Sequence, residues 1–326
     1  MDKINILENF QGKSVLVLGD FILDKYVWGN VTRVSKEAPI PVIKKQKLSY
    51  VLGGAGNVAA TISELNGNVK VIGLLGEDPE AEHLKELLHE HSIITDDMVE
   101  DSSRPTTKKT RVVVGGNQVA RIDTESDEPA SGKINEKIKQ KLLDILPEVD
   151  VIVISDRGKG IVTRELMYCI TKECKAADKK IIIDPFPAHK DYYSDSYIIT
   201  PIPAEVREMF NISLEEGGSM KYLGEKAREY FRSNIIIEHS KEGLLVAPDA
   251  EESYEIPRHA HNIADITGSR DAFIGVLAMA VATGADLRTA AELSNAAYDI
   301  TCQKLGTATV TIGELRKLIE RKELVF

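Results

Sequence analysis

The residues Asp265-Ile266-Thr267-Gly268-Ser269-Arg270-Asp271 run straight into the apolar segment 272–282. A glycine turn that feeds a helix leaves backbone N–H groups without intrahelical partners, and the helix dipole adds positive potential at the same point. Such a terminus accepts phosphate. Asp271, in the first turn, is poorly suited to holding an anion. It is well placed to take the proton of a hydroxyl that attacks the phosphate, which makes it a candidate general base. Two more carboxylates, Asp20 and Asp24, leave the end of an apolar run four residues apart. That pattern suits either hydrogen bonding to several sugar hydroxyls or a solvated turn.

Other short patterns carry less. Gly53, Gly54 and Gly56, with Asn57, open a helical segment. Glycines let the backbone approach a ligand, and Asn57 adds an amide that reads hydroxyls. Gly54, Gly56 and Ala59 also match the dinucleotide fingerprint. That fingerprint should follow the first buried strand, whereas this one follows the charged, alternating segment 43–50. Gly12-Lys13-Ser14 imitates the end of a P-loop, but Leu7 stands where a glycine is required and the triplet precedes a strand. His259 and His261 read as ordinary surface residues, and no acidic or histidine cluster has transition-metal spacing. Cys169, Cys174 and Cys302 are odd in number and read as reduced thiols.

The elements that would position these residues follow from the apolar pattern. Short apolar runs at 15–18, 69–75, 151–155, 181–184, 197–199 and 235–238 predict buried strands. Helical patterns at 56–65, 81–89, 134–146, 163–177 and 219–231 lie between them. Strands alternating with helices predict an α/β fold whose mostly parallel sheet is covered on both faces. Ligands in such sheets bind beyond the carboxyl ends of the strands, where Gly19-Asp20, Ser155-Asp156 and Asp184-Pro185 all fall. Residues 25–50 and 106–124 instead alternate apolar and polar positions and carry no helix, so they predict a small separate sheet serving as a lid or a dimer surface.

Composition sets the outer bounds. The chain has 326 residues, 43% hydrophobic and 28% charged, with a net charge of −10. An acidic surface argues against nucleic acid or anionic membrane as the main partner, while an anionic small substrate needs only a local basic pocket. No apolar run reaches the roughly 20 residues of a membrane span, and the charged start MDKINILENF is unlike a signal peptide. A cytoplasmic location is expected.

Together these pieces resemble the ribokinase-like (PfkB) carbohydrate kinases over essentially the whole chain. The glycine signature stands at Gly53–Asn57, and the second signature at Asp265–Asp271. The subgroup that looks most similar is the heptose-phosphate kinase domain of bacterial ADP-heptose synthesis. That likeness is carried by Gly19–Tyr26, Arg33–Val42, Asn117-Gln118 with Arg121–Asp123, Ser155-Asp156 with Lys159-Gly160, and Lys304–Thr307. No second, nucleotidyltransferase segment is expected.

The resemblance implies a single kinase domain over 1–326, a three-layer α/β/α ribokinase-like fold with a β lid, and ATP with Mg2+ as cofactors. It implies Asp271 as catalytic base and the amides of Gly268, Ser269 and Arg270 as an anion hole. Asp20, Asp24, Glu37, Gly53, Gly54 and Asn57 would face the sugar, with Arg111 and Arg121 of the lid holding a sugar phosphate. Glu238, Asn295, Lys304 and Gly306 would line the nucleotide, and Glu205 would help place the metal indirectly. A homodimer through the lid is expected.

The chain departs from the family pattern on the nucleotide and phosphate side. Ser269-Arg270 replace Ala-Gly, Ile202 replaces Asn, Phe186 replaces Lys, and Glu238 or His239 replaces Thr. Arg270 would either bind phosphate or pair with Asp271 and impair it, and the accompanying substitutions favour impairment. Three functions therefore stand open: an ATP-dependent sugar or sugar-phosphate kinase, a sugar-binding pseudokinase or regulatory protein, and a dinucleotide-dependent oxidoreductase resting on the glycine match alone.

Overall fold

The computed structural model describes residues 2–213, 219–239, 242–258, 263–304 and 306–321. His259 and His261 lie outside the described residues, as does Leu305 of the Lys304–Thr307 string. The strands are β1 Ser14–Gly19, β2 Phe21–Val34, β3 Pro41–Gly54, β4 Asn68–Leu75, β5 Val99–Glu100, β6 Lys108–Val114, β7 Asn117–Thr124, β8 Val151–Ser155, β9 Lys180–Asp184, β10 Ile198–Ile199, β11 Asn234–His239, β12 Gly243–Ala247 and β13 Tyr254–Pro257. The α-helices are α1 Lys3–Glu8, α2 Ala55–Glu64, α3 Pro79–Glu90, α4 Gly132–Ile145, α5 Arg164–Ala176, α6 Pro203–Phe210, α7 Met220–Phe231, α8 Ser269–Ala282, α9 Leu287–Thr301 and α10 Ile312–Glu320.

Among the described residues the main sheet has nine strands in the order β13-β12-β11-β10-β9-β8-β1-β4-β5. From β11 to β5 every pairing is parallel, while β12 and β13 add an antiparallel edge. The strand period of two splits each apolar run between two cores. Val15, Val17, Val151, Val153, Ile182 and Ile236 enter one cluster, with Phe273 and Leu277 of α8. Leu16, Leu18, Ile152, Ile154, Ile183 and Ile237 enter the other, with Ile138 of α4 and Leu166 of α5. This is why those runs lack polar alternation.

The second sheet has the order β3-β2-β6-β7. It is the lid that the alternating segments predict, though its first hairpin is longer than expected. β2 begins one residue after β1 ends, and β3 runs without a break into α2. Only Asp20 separates the core sheet from the lid. The β6–β7 hairpin closes through Gly115 and Gly116, with φ of 57° and 84°. Two consecutive left-handed residues suit a two-residue hairpin turn, and glycine adopts them without strain.

Candidate active site

The site lies along the carboxyl ends of β1, β8, β9, β10 and β11, under the lid. Gly268, with φ of 78°, caps α8. A Cβ there would stand 2.8 Å from Asn57 Nδ2 and from Thr307 Cγ2, so the turn closes against α2 and the 306–307 segment. Asp265 fastens the turn. Its Oδ1 accepts from the Thr267 amide at 2.9 Å and its Oδ2 from the Gly306 amide at 3.0 Å.

Asp271 sits in the first turn of α8, with Oδ2 accepting from Asn57 Nδ2 at 3.2 Å. Its Oδ1 faces Arg157 Nη2 at 3.1 Å. Burial pushes its carboxyl up to about 6; Arg157, Asn57 and Arg270 oppose that rise while Asp184 adds to it. A group poised near neutrality, buried and held by an amide, is suited to general-base work.

On the sugar side, Asp20 bridges core and lid. Its Oδ2 accepts from the Arg157 and Lys159 amides at 2.7 and 3.1 Å. Burial first, and then the Asp156 charge, raise it to about 6. Asp24 pairs with Arg111 across β2 and β6, and burial still raises its pKa against that cation. The twin glycines make room for both acids. A Cβ on Gly53 would stand 2.7 Å from Asp24 Oδ2, and one on Gly54 2.6 Å from the Asp20 carbonyl oxygen. Gly53 and Gly54 therefore end a lid strand and cap a helix, which is not the setting of a dinucleotide loop. Arg121 is directly opposite Arg111 on β7, but it turns to Asp123 at 3.1 Å and stays half exposed. Glu37 is not brought to this cluster. It lies beyond the Val34–Pro41 pair in the hairpin tip, thirteen residues along from Asp24. At ~3.3 Å per residue that is about 40 Å of strand.

The expected pairing of Arg270 with Asp271 is corrected. Arg270 reaches across to Glu205, with Nη1 2.6 Å from Oε1 and Nη2 2.8 Å from Oε2, and it donates to the Thr200 carbonyl at 2.9 Å. It also faces the fully buried Asp184 at 2.6 Å. The guanidinium that meets Asp271 is Arg157, which bridges it to Asp184. Sequence reading passed over Arg157, although its place at the carboxyl end of β8, between Asp156 and Gly158, is where ligand-facing residues gather. Glu205 also accepts from the Ile202 amide at 2.9 Å. Its carboxylate is thus engaged by protein partners. Among the described residues no cluster of three or more acidic, histidine or cysteine side chains forms a metal site.

The expected nucleotide residues are partly diverted as well. Glu238 and Asn295 gather around buried Arg258, at 3.0 and 2.7 Å, and the Asn295 amide donates to the Pro257 carbonyl at 2.8 Å. Arg258 also stacks 3.7 Å from the Tyr298 ring centroid. Lys304 turns to Glu314 at 2.7 Å. Only Gly306 of that set touches the phosphate-side turn, through Asp265.

Comparison with known proteins places this arrangement. The sequence profile described as pfkB family carbohydrate kinase matches residues 13–312. The chain belongs to that family. Among curated proteins, the bifunctional protein HldE of Desulfatibacillum aliphaticivorans is 34% identical over 97% of this chain. That of Helicobacter hepaticus is 35% identical over 94%. The chain spans 65% and 63% of the length of these two relatives. Among solved structures, the ribokinase of Thermotoga maritima has a TM-score of 0.73 at 20% identity, over 94% of this chain and 99% of that one. Phosphofructokinase-2 of Escherichia coli has a TM-score of 0.75 at 17% identity, over 95% and 98%. At these identities the likeness is one of fold, and the expected ribokinase-like architecture, a mostly parallel layered sheet with a small second sheet, is the observed one.

Proposed function

We propose that this pfkB-family protein is an ATP-dependent kinase that phosphorylates a hydroxyl of a sugar or sugar phosphate of the heptose-phosphate type. One observation carries the reading: Asp271 is buried, tethered by Asn57 and seated in the first turn of α8 behind the left-handed Gly268. Asp271 takes the proton of the acceptor hydroxyl as its oxygen attacks the γ-phosphorus. The amides of Gly268, Ser269 and Arg270 and the dipole of α8 meet the charge that spreads over the phosphoryl oxygens.

Asp20, Asp24, Gly53, Gly54 and Asn57 form the sugar side. Arg111, with Arg121 across the hairpin, suits an acceptor that already carries phosphate, since guanidinium forks bind phosphate oxygens in pairs. ATP as donor is supported by the family and by the likeness to Arabidopsis thaliana ribokinase, whose structure holds ribose and ATP, at a TM-score of 0.71. Mg2+ is proposed only as a companion of the nucleotide; Glu205 is not counted among its ligands.

A homodimer through the lid belongs to the same proposal. β7 is exposed along its length, and Val34, Ile40, Val119 and Ile122 are solvent-facing apolar residues of the two lid hairpins. The test of function is a panel of pentose, hexose and heptose phosphates with ATP, read by ADP release and by mass of the product. Transfer to a heptose phosphate supports the reading. Binding of a sugar phosphate without any transfer favours a regulatory, non-catalytic protein instead.

A further inference from the structure

The two arginines at the phosphate end are not equivalent. Arg270 spends both of its terminal nitrogens on Glu205, Asp184 and Thr200, and its Nε is buried without a partner. Arg157 makes both of its ion pairs through one atom, Nη2, to Asp184 and Asp271. Among the described residues its Nε and Nη1 have no partner, and its side chain is 23% exposed. Two of the three guanidinium nitrogens therefore stand unpaired beside the Asp271 carboxylate.

The segment that carries it is fixed. The Arg157 and Lys159 amides both donate to Asp20, and the Gly158 amide donates to Asp156 at 2.9 Å. Asp156 is held in turn by the Tyr193 hydroxyl at 2.7 Å and faces His189 Nδ1 at 2.7 Å. Gly158 has φ of 68°, and a Cβ there would meet the Phe186 ring at 2.6 Å. Phe186, one of the departures from the family pattern, thus packs on the turn that presents Arg157. The same turn touches Asp20 on the sugar side and, through Arg157, Asp271 on the phosphate side.

We propose that Arg157 is a catalytic residue, donating an N–H of its unpaired Nη1 to an oxygen of the transferring phosphoryl group. The inference rests on the kinase reading above. A hydroxyl attacking from Asp271 must lie about 3–3.5 Å from phosphorus, and Arg157 is already 3.1 Å from Asp271. The acceptor oxygen–phosphorus bond forms, the bond from phosphorus to the bridging oxygen of ATP breaks, the proton passes to Asp271 and ADP leaves. Arg157 moves no proton; it opposes the charge on the phosphoryl oxygens. Arg270 and Arg157 together balance Asp184 and Glu205, so these carboxylates do not repel the incoming phosphate.

The test compares ATP and ADP by titration calorimetry on the whole chain, its Arg157→Gln variant and its Arg157→Lys variant. ADP lacks the group that Arg157 would hold. The parent should prefer ATP, and Arg157→Gln should erase about 10- to 100-fold of that preference while leaving ADP affinity within a few-fold. Arg157→Lys, which keeps the charge and loses the planar donor set, should fall between them and guards against a glutamine variant that fails to fold. A role confined to holding the fold would weaken both nucleotides alike, and that result overturns the assignment, as does an unchanged ATP preference in both variants. A parent that binds neither nucleotide overturns the kinase reading first and this assignment with it.

Discussion

At the scale of single residues, the proposed transfer turns on Asp271. Asp271→Asn should lower turnover by about 10²–10⁴-fold and leave acceptor affinity nearly unchanged, because a general base acts on the transition state more than on the bound substrate. Initial rates and acceptor titrations check this. Activity should fall as pH drops below about 6, where Asp271 takes up its proton. In Arg157→Gln the largest influence opposing that rise is lost, so the acid limb should move to higher pH. Stability carries the opposite sign. A carboxyl raised from 3.8 to about 6 favours the folded state below pH 3.8, and that contribution is lost as pH rises through about 6. Asp271→Asn should therefore gain stability relative to the parent between pH 4 and 6, by up to about 3 kcal/mol, as measured by chemical denaturation. The placement of Asp271 at the helix terminus was legible because a glycine turn, an acid and an apolar helix are adjacent in sequence. The partner of Asp271 was not. Arg157 and Asp271 are 114 positions apart, and no local pattern says which of two nearby arginines turns toward a carboxylate.

At the scale of elements, the twin glycines at the lid–helix junction make the sharpest claim. Gly54 has φ of 55° and ψ of −132°, and an added Cβ would meet the Asp20 carbonyl at 2.6 Å. Gly115 has φ of 57° with nothing within 4 Å. Gly54→Ala should cost several kcal/mol from strain plus a backbone clash, whereas Gly115→Ala should cost only the strain, of order 1 kcal/mol. Equal losses in urea titration would contradict the packing described for Gly54. The parallel strands were legible because burial on both faces leaves uninterrupted apolar runs, as in β8, whose residues are all buried. The lid was legible from alternation, but its length was not, since β2 starts in the buried residues 21–24 and changes to a half-wet pattern partway. The nucleotide side was the least legible. Glu238 and Asn295, which family likeness assigns to the nucleotide, are both engaged by Arg258, just past the end of β13.

For the whole molecule, the proposed homodimer rests on the lid face. Val119 and Ile122 on β7 are 51% and 61% exposed, and Val34 and Ile40 are 64% and 57%. Exposed strand edges bearing apolar residues are normally covered. Light scattering at micromolar concentration should give twice the 35.9 kDa chain mass, and Ile122→Glu should shift it toward the monomer. A monomeric parent would count against the lid interface. The sequence pointed to this surface through its alternation, but pairing between chains leaves no signal in one chain. The central claim is phosphoryl transfer itself. Its most direct test is ADP release from ATP with a heptose phosphate acceptor, parent against Asp271→Asn. The parent should release ADP and phosphorylated sugar in equal amounts, and the variant should lose about 10²-fold or more of that rate. No transfer to any member of a sugar-phosphate panel that the parent binds, or equal rates from parent and variant, would contradict it.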